Sequence, residues 1–83
     1  MKKSDKAFKG LVLIEWLDSH YVNGWTLNDP NEQGLLCRSV GWLVHDGEKA
    51  KTIASHLSDE YEPQRCGEMT IPSGAIVKIW KLK

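Results

Sequence analysis

Short runs of apolar and β-branched residues, separated by turn-forming residues, predict a chain built mainly from β-strands. The run 11–17 follows Gly10 and is apolar on both faces apart from Glu15. Near the other end, Pro72-Ser73-Gly74 separates the weakly alternating run 66–71 from the run 75–82. We expect 75–82 to form a terminal strand that is also apolar on both faces.

Residues 35–45 predict a strand with two unequal faces. One parity carries large apolar side chains, namely Leu36, Val40, Trp42 and Val44, with Arg38 as the exception. The other carries Cys37, Ser39, Gly41, Leu43 and His45. Small side chains and a glycine favour a strand that bends or lies close to another backbone. Trp16 and Trp42 stand amid apolar neighbours, so we expect both in the core.

Two dipeptides predict tight turns, because both of their residues tolerate positive φ. Asn23-Gly24 lies between Tyr21-Val22 and 25–27, and Asp46-Gly47 follows the central strand. Residues 28–34 have the composition of a loop.

The pattern leaves the segment 49–61 open between helix and strand. Its apolar residues recur at helical spacing, at Ala50, Ile53, Ala54, Leu57 and Tyr61. Asp46 could cap such a helix. Conversely, Thr52-Ile53 favours a strand, and a hairpin turn at Asp46-Gly47 requires a returning strand.

Length and charge restrict the possible functions. Eighty-three residues predict one domain with a thin core, which an oligomeric interface can help to complete. The net charge is zero: residues 1–10 and 76–83 each carry +3, and 11–75 carry −6. Basic termini on one side could form a patch, but nucleic-acid binding is not supported by the net charge. The absence of a signal peptide or apolar span predicts a cytoplasmic protein with Cys37 and Cys66 unlinked.

No motif predicts catalysis, a metal or a cofactor. His20, His45, His56 and the two cysteines lack the close pairs that zinc sites use. Ser39 and Cys37 lie six and eight residues from His45 along one strand, too far for proton transfer. No phosphate-binding glycine loop is present. We therefore expect no enzyme activity, no cofactor and no metal site.

The order of several motifs resembles small uncharacterised proteins of bacteriophages and mobile elements. The likeness covers about residues 11–82, and its most specific parts are Cys37-x-Ser39-Val40-Gly41-Trp42-Leu43 and Gly67-x-Met69-x-Ile71-Pro72. The resemblance implies a five-stranded SH3-like or Sm-like barrel, which we assign to residues 11–83. Residues 1–10 are polar and Lys-rich, so we expect them to be flexible. The resemblance also implies that 51–57 is a strand. It implies no established activity, because the Sm RNA-binding loops have no clear match here.

Two functions remain as hypotheses. The first is a phage or mobile-element interaction module in the host cytoplasm, which assembles with itself or binds a host protein. Its oligomer edge would be the terminal strand, through Ile76, Val77, Ile79 and Trp80. The alternative is a barrel that binds nucleic acid through Tyr21, Trp25, Lys78 and Lys81. Neither hypothesis involves a membrane.

Overall fold

The computed structural model describes residues 10–30 and 32–82, and within them the chain is all-β. The expected flexible N-terminal segment lies, apart from Gly10, outside the described residues. The strands are β1 (Leu11–Asp18), β2 (Leu35–Asp46), β3 (Ala50–Leu57), β4 (Arg65–Pro72) and β5 (Ile76–Lys81). A 3-10 turn at Ser73–Ala75 joins β4 to β5.

The five strands form one antiparallel sheet in the order β4-β3-β2-β1-β5. The sheet is not closed into a barrel, so β4 and β5 are its two edges. In a flat sheet these edges would lie roughly 19 Å apart, at about 4.8 Å per strand spacing. They are joined by the 3-10 turn Ser73–Ala75 alone, which is too short for that distance. The sheet is therefore strongly curled.

The core lies on the concave, inner face of this curled sheet. Four of the five strands supply its buried side chains, and these are Val12, Ile14, Leu43, Ile53 and Ile71. The fifth strand, β5, contributes Ile76 and Ile79, which pack against the cluster together with Trp16 and Ala75. The two edge strands thus meet around one core without being hydrogen-bonded to each other.

The ambiguous segment is a strand, as the resemblance implied. The Gly47 N–H donates to the Ala50 carbonyl at 3.1 Å, so the turn falls at Glu48-Lys49, directly after the predicted Asp46-Gly47, and Gly47 does not have a positive φ. Lys51 Nζ lies 2.5 Å from Asp46 Oδ1 across the same turn. The centre of β3, residues 52–54, is buried throughout, so the strand shows no alternation of apolar and polar residues.

The expectation that Trp42 lies in the core is wrong. Trp42 is half-buried on the convex, outer face, opposite Leu11 on β1. On that same face Val40 is 53 % exposed. The inner face of β2 carries Leu43 in the core, and at Gly41 it leaves no space for a side chain, because a Cβ there would lie 2.9 Å from the Ala54 carbonyl oxygen.

The Asn23-Gly24 prediction is confirmed only for the positive φ of its glycine, since no non-glycine residue among those described, Asn23 included, has a positive φ. Gly24 has φ of 95°, the left-handed conformation that the turn requires. The flanking residues 21–22 and 25–27 nevertheless form no strands. Residues 19–34, apart from Asn31, instead connect β1 to β2 without a strand or helix. We call residues 19–34 the arm.

Candidate interaction surface

The backbone groups of β5 divide between β1 and open solvent. The Leu82 N–H donates to the Leu11 carbonyl at 2.8 Å. Antiparallel ladders alternate residues that bond to the partner strand with residues that face away from it. The amides of Trp80 and Lys78 therefore face β1, whereas those of Ile79 and Lys81 face outward. We call these two outward amides and their carbonyls the β5 edge.

The opposite edge of the sheet, on β4, lacks a donor at Pro72. The Ser73 N–H donates to the Lys49 carbonyl at 2.9 Å, so by the same alternation Pro72 and Thr70 face outward from β4. Pro72 has no N–H to donate, as is usual for proline in an edge strand. Thr70 and Glu68 keep their outward amides, so the two edges offer similar donors, and what distinguishes β5 is the exposed apolar side chains beside it, Trp80 and Leu82.

Apolar side chains lie beside the β5 edge on the outer face. Trp80 is 36 % exposed and Leu82 is 41 % exposed. Leu13 is paired in register with both Trp80 and Val40, so these residues form a row across three strands. We call Leu13, Val40, Trp80 and Leu82 the outer patch. Val77, at the bulge between β5 and β1, is also exposed.

A row of charges crosses the same three strands next to the outer patch. Arg38 Nη2 lies 3.0 Å from Glu15 Oε2, and Glu15 is also the register partner of Lys78. Lys78 Nζ lies 5.0 Å from the centroid of the Trp80 ring. The patch therefore has a cationic rim at Lys78 on β5. Lys81 is the register partner of the core residue Val12, so its side chain lies on the other face of the strand.

The arm is a second exposed apolar surface. Its four large hydrophobic residues are Tyr21, Val22, Trp25 and Leu27, and Trp25 and Leu27 have fully exposed side chains. No Lys or Arg occurs from residue 11 to residue 37. The acids of this region include Asp29 and Glu32 within the arm.

The structure places the predicted nucleic-acid residues in two separate groups. Tyr21 and Trp25 lie on the arm, whereas Lys78 and Lys81 lie on β5. Lys81 pairs with Val12, six residues from the end of β1 that joins the arm, which is about 20 Å at 3.3 Å per residue. The aromatic rings and the lysines thus lie on different segments of the chain.

The predicted oligomer edge is divided between the two faces of the sheet. Val77 and Trp80 are exposed, whereas Ile76 and Ile79 turn inward onto the core. Ile79 thus contributes its backbone amide to the edge and its side chain to the interior. Sequence reasoning did not assign Leu13, Val40 or Leu27 to an interaction surface, although Leu13 and Val40 belong to the apolar sets of their strands.

Within the described ranges, no group of three or more His, Cys, Asp or Glu side chains could hold a metal ion. Cys37 is half-buried and Cys66 is exposed, and they are not linked to each other. No helix among the described residues is long and apolar enough to cross a membrane.

Comparison of the chain with protein-family models, curated proteins and solved structures gave no match in any of the three.

Proposed function

We propose that this chain is a non-enzymatic interaction module that assembles with itself through the β5 edge and the outer patch. The observation that carries this proposal is the position of Trp80. It lies on an edge strand whose inner face is already packed on the core, yet its own ring is partly exposed on the other face. Burying such a side chain contributes about 1.5–3 kcal/mol.

A second copy of the chain is the occupant that this surface fits best. Open strand edges pair readily with other strands, and the charges of Lys78 and Lys81 on the edge strand discourage unlimited stacking. A closed, symmetric homo-oligomer is therefore expected. A host protein is the alternative occupant of the same surface. The phage or mobile-element setting and the cytoplasmic location stay predictions from the sequence.

We also infer that the curled sheet is an SH3-like or Sm-like barrel in which the first and last strands of the sheet, β4 and β5, are not hydrogen-bonded to each other. Five antiparallel strands around one core, with only Ser73–Ala75 between the two edges, support this fold. The resemblance to Sm-like barrels implies edge-to-edge assembly as well, which agrees with the proposed function.

Nucleic-acid binding is the second hypothesis, and one observation favours it. Tyr21 and Trp25 are exposed rings that could stack on bases. Their surroundings oppose it, because the arm contains acids and no Lys or Arg. Titration with a single-stranded oligonucleotide at rising salt separates the hypotheses, since phosphate contacts weaken with salt. Salt-sensitive binding that is lost in Trp25→Ser would favour the second hypothesis.

Light scattering on three proteins tests self-assembly. The wild type at tens of micromolar is expected to have a mass above one chain. Lys81→Pro removes an outward amide at an exposed position and should give the mass of one chain. Lys81→Ala removes the same charge but keeps the amide, so it should assemble like the wild type.

Ile79→Pro removes the other outward amide, but it also alters a side chain packed on the core. Lys81→Pro is therefore the cleaner variant. A wild-type mass equal to one chain would refute self-assembly and leave a heterologous partner for this surface. Far-ultraviolet circular dichroism of each variant verifies that the sheet is intact.

A further inference from the structure

We propose that the segment 25–29 in the arm of one copy adds as a strand to the β5 edge of a second copy. The inference rests on the proposed function and specifies the contact that it uses. It joins two exposed apolar surfaces of the same chain that do not cover each other. In the structure Trp25 and Leu27 are fully exposed, and Trp80 is partly exposed.

The apolar residues of the two segments have the same spacing. Trp25 and Leu27 are two residues apart, so in an extended strand their side chains lie on one face. Trp80 and Leu82 are also two residues apart, on the outer face of the sheet. A strand added at the β5 edge can therefore place Trp25 and Leu27 beside Trp80 and Leu82.

The backbone of the arm segment is able to pair. Gly24 precedes it and Pro30 follows it, but residues 25–29 contain neither glycine nor proline. Each of these residues has an N–H, and the β5 edge offers the outward amides of Ile79 and Lys81. The Asn28 N–H donates to Thr26 Oγ1 at 3.1 Å in the structure, and this exposed local bond would be exchanged for a bond to the edge. Main-chain pairing to an exposed edge, with alternate side chains giving specificity, is a common mode of peptide recognition.

The charges of the two segments are complementary. The arm holds Asp29 and Glu32 and no Lys or Arg, whereas β5 holds Lys78 and Lys81 and no acid. Pairing of β5 with another β5 would instead bring lysines together. Pairing of arm with edge brings acids to lysines, which favours this contact over a symmetric edge-to-edge one.

A mixing experiment tests the inference. The arm variant carries Trp25→Ser and Leu27→Ser, and the edge variant carries Lys81→Pro. We expect each alone to have the mass of one chain by light scattering. An equimolar mixture should recover the mass of two chains, because the intact arm of the edge variant binds the intact edge of the arm variant.

Tyr61→Ser is the matched control, since Tyr61 is an exposed aromatic residue in the loop between β3 and β4. It should assemble like the wild type. The arm residues are fully exposed, so their substitution should leave the circular dichroism spectrum unchanged.

The results distinguish the inference from the proposed function. If the arm variant assembles like the wild type while the edge variant does not, the arm is not the occupant and self-assembly stands. If each variant and their mixture all have the mass of one chain, the contact is not between arm and edge. A wild-type mass of one chain overturns both proposals. Docking of the arm on the β5 edge of its own chain would give this result.

Discussion

The indole Nε1 of Trp16 donates a hydrogen bond of 3.0 Å to the hydroxyl of Ser39 on the neighbouring strand. The same hydroxyl donates to the sulfur of Met69 on β4 at 3.9 Å. In the sheet, β3 lies between β2 and β4, so a contact between these two strands requires the sheet to curl. Ser39 thus links three strands across the inner face.

Ser39→Ala should lower the free energy of unfolding by about 1 kcal/mol, because the part-buried indole N–H loses its acceptor. Urea unfolding followed by tryptophan fluorescence measures the change. Ser55→Ala is the control, since its exposed hydroxyl has only a long contact of 3.5 Å with the Gly67 carbonyl. An equal loss in both variants would contradict the proposed importance of the Trp16 contact.

Gly41→Ala should destabilise the fold by about 1–3 kcal/mol, because the new methyl group would overlap the backbone of β3. Gly74→Ala is the matched control. A Cβ at Gly74 meets nothing within 4 Å, so this change should be neutral or slightly stabilising. Thermal unfolding of the two variants gives the comparison, and a tolerated Gly41→Ala would mean that β2 and β3 are less closely packed.

Glu15→Ala should lower the free energy of unfolding by less than about 1 kcal/mol, and this decrease should become smaller as salt is added. The Glu15 side chain is 16 % exposed but its partner Arg38 is 62 % exposed, so solvent screens the pair. Glu68→Ala breaks the more open pair with Arg65 and should have no measurable effect. Chemical unfolding at low and high salt tests both, and a loss independent of salt would indicate packing rather than charge.

The two thiols should react at different rates in the folded protein. Cys66 is exposed, whereas half-buried Cys37 has its Sγ 3.6 Å from the Leu35 carbonyl oxygen. A chromogenic disulfide reagent should therefore modify Cys66 first, and Cys66→Ser should remove the fast phase. Under denaturing, non-reducing conditions both thiols should react with the reagent. A single phase that includes both cysteines would contradict the assigned burial.

The strands could be predicted from sequence where apolar runs end at turn residues, as at Asp46-Gly47 and Pro72-Ser73-Gly74. The nature of 49–61 could not, because the centre of β3 is buried on both faces and lacks alternation. The resemblance, rather than the pattern, favoured a strand, and residues 50–57 do form one.

The side on which Trp42 lies could not be predicted either. The two parities of β2 were separated correctly, but the close approach of β3 leaves no room for a side chain at Gly41, and the face with more small residues is the inner one. For the candidate surface, the sequence identified the terminal strand as apolar on both faces. It could not show that the arm leaves Trp25 and Leu27 uncovered, since Asn23-Gly24 predicted a hairpin.

The position of β1 between β2 and β5 has a consequence for biosynthesis. β2 follows β1 closely along the chain, but β5 is the last of the described strands to be translated. Until β5 emerges, β1 is itself an open edge, with Leu11 and Leu13 beside its unpaired backbone. Such non-local pairing forms slowly, and exposed apolar edges aggregate. The aggregation hazard of this chain is therefore greatest while it is being translated or refolded.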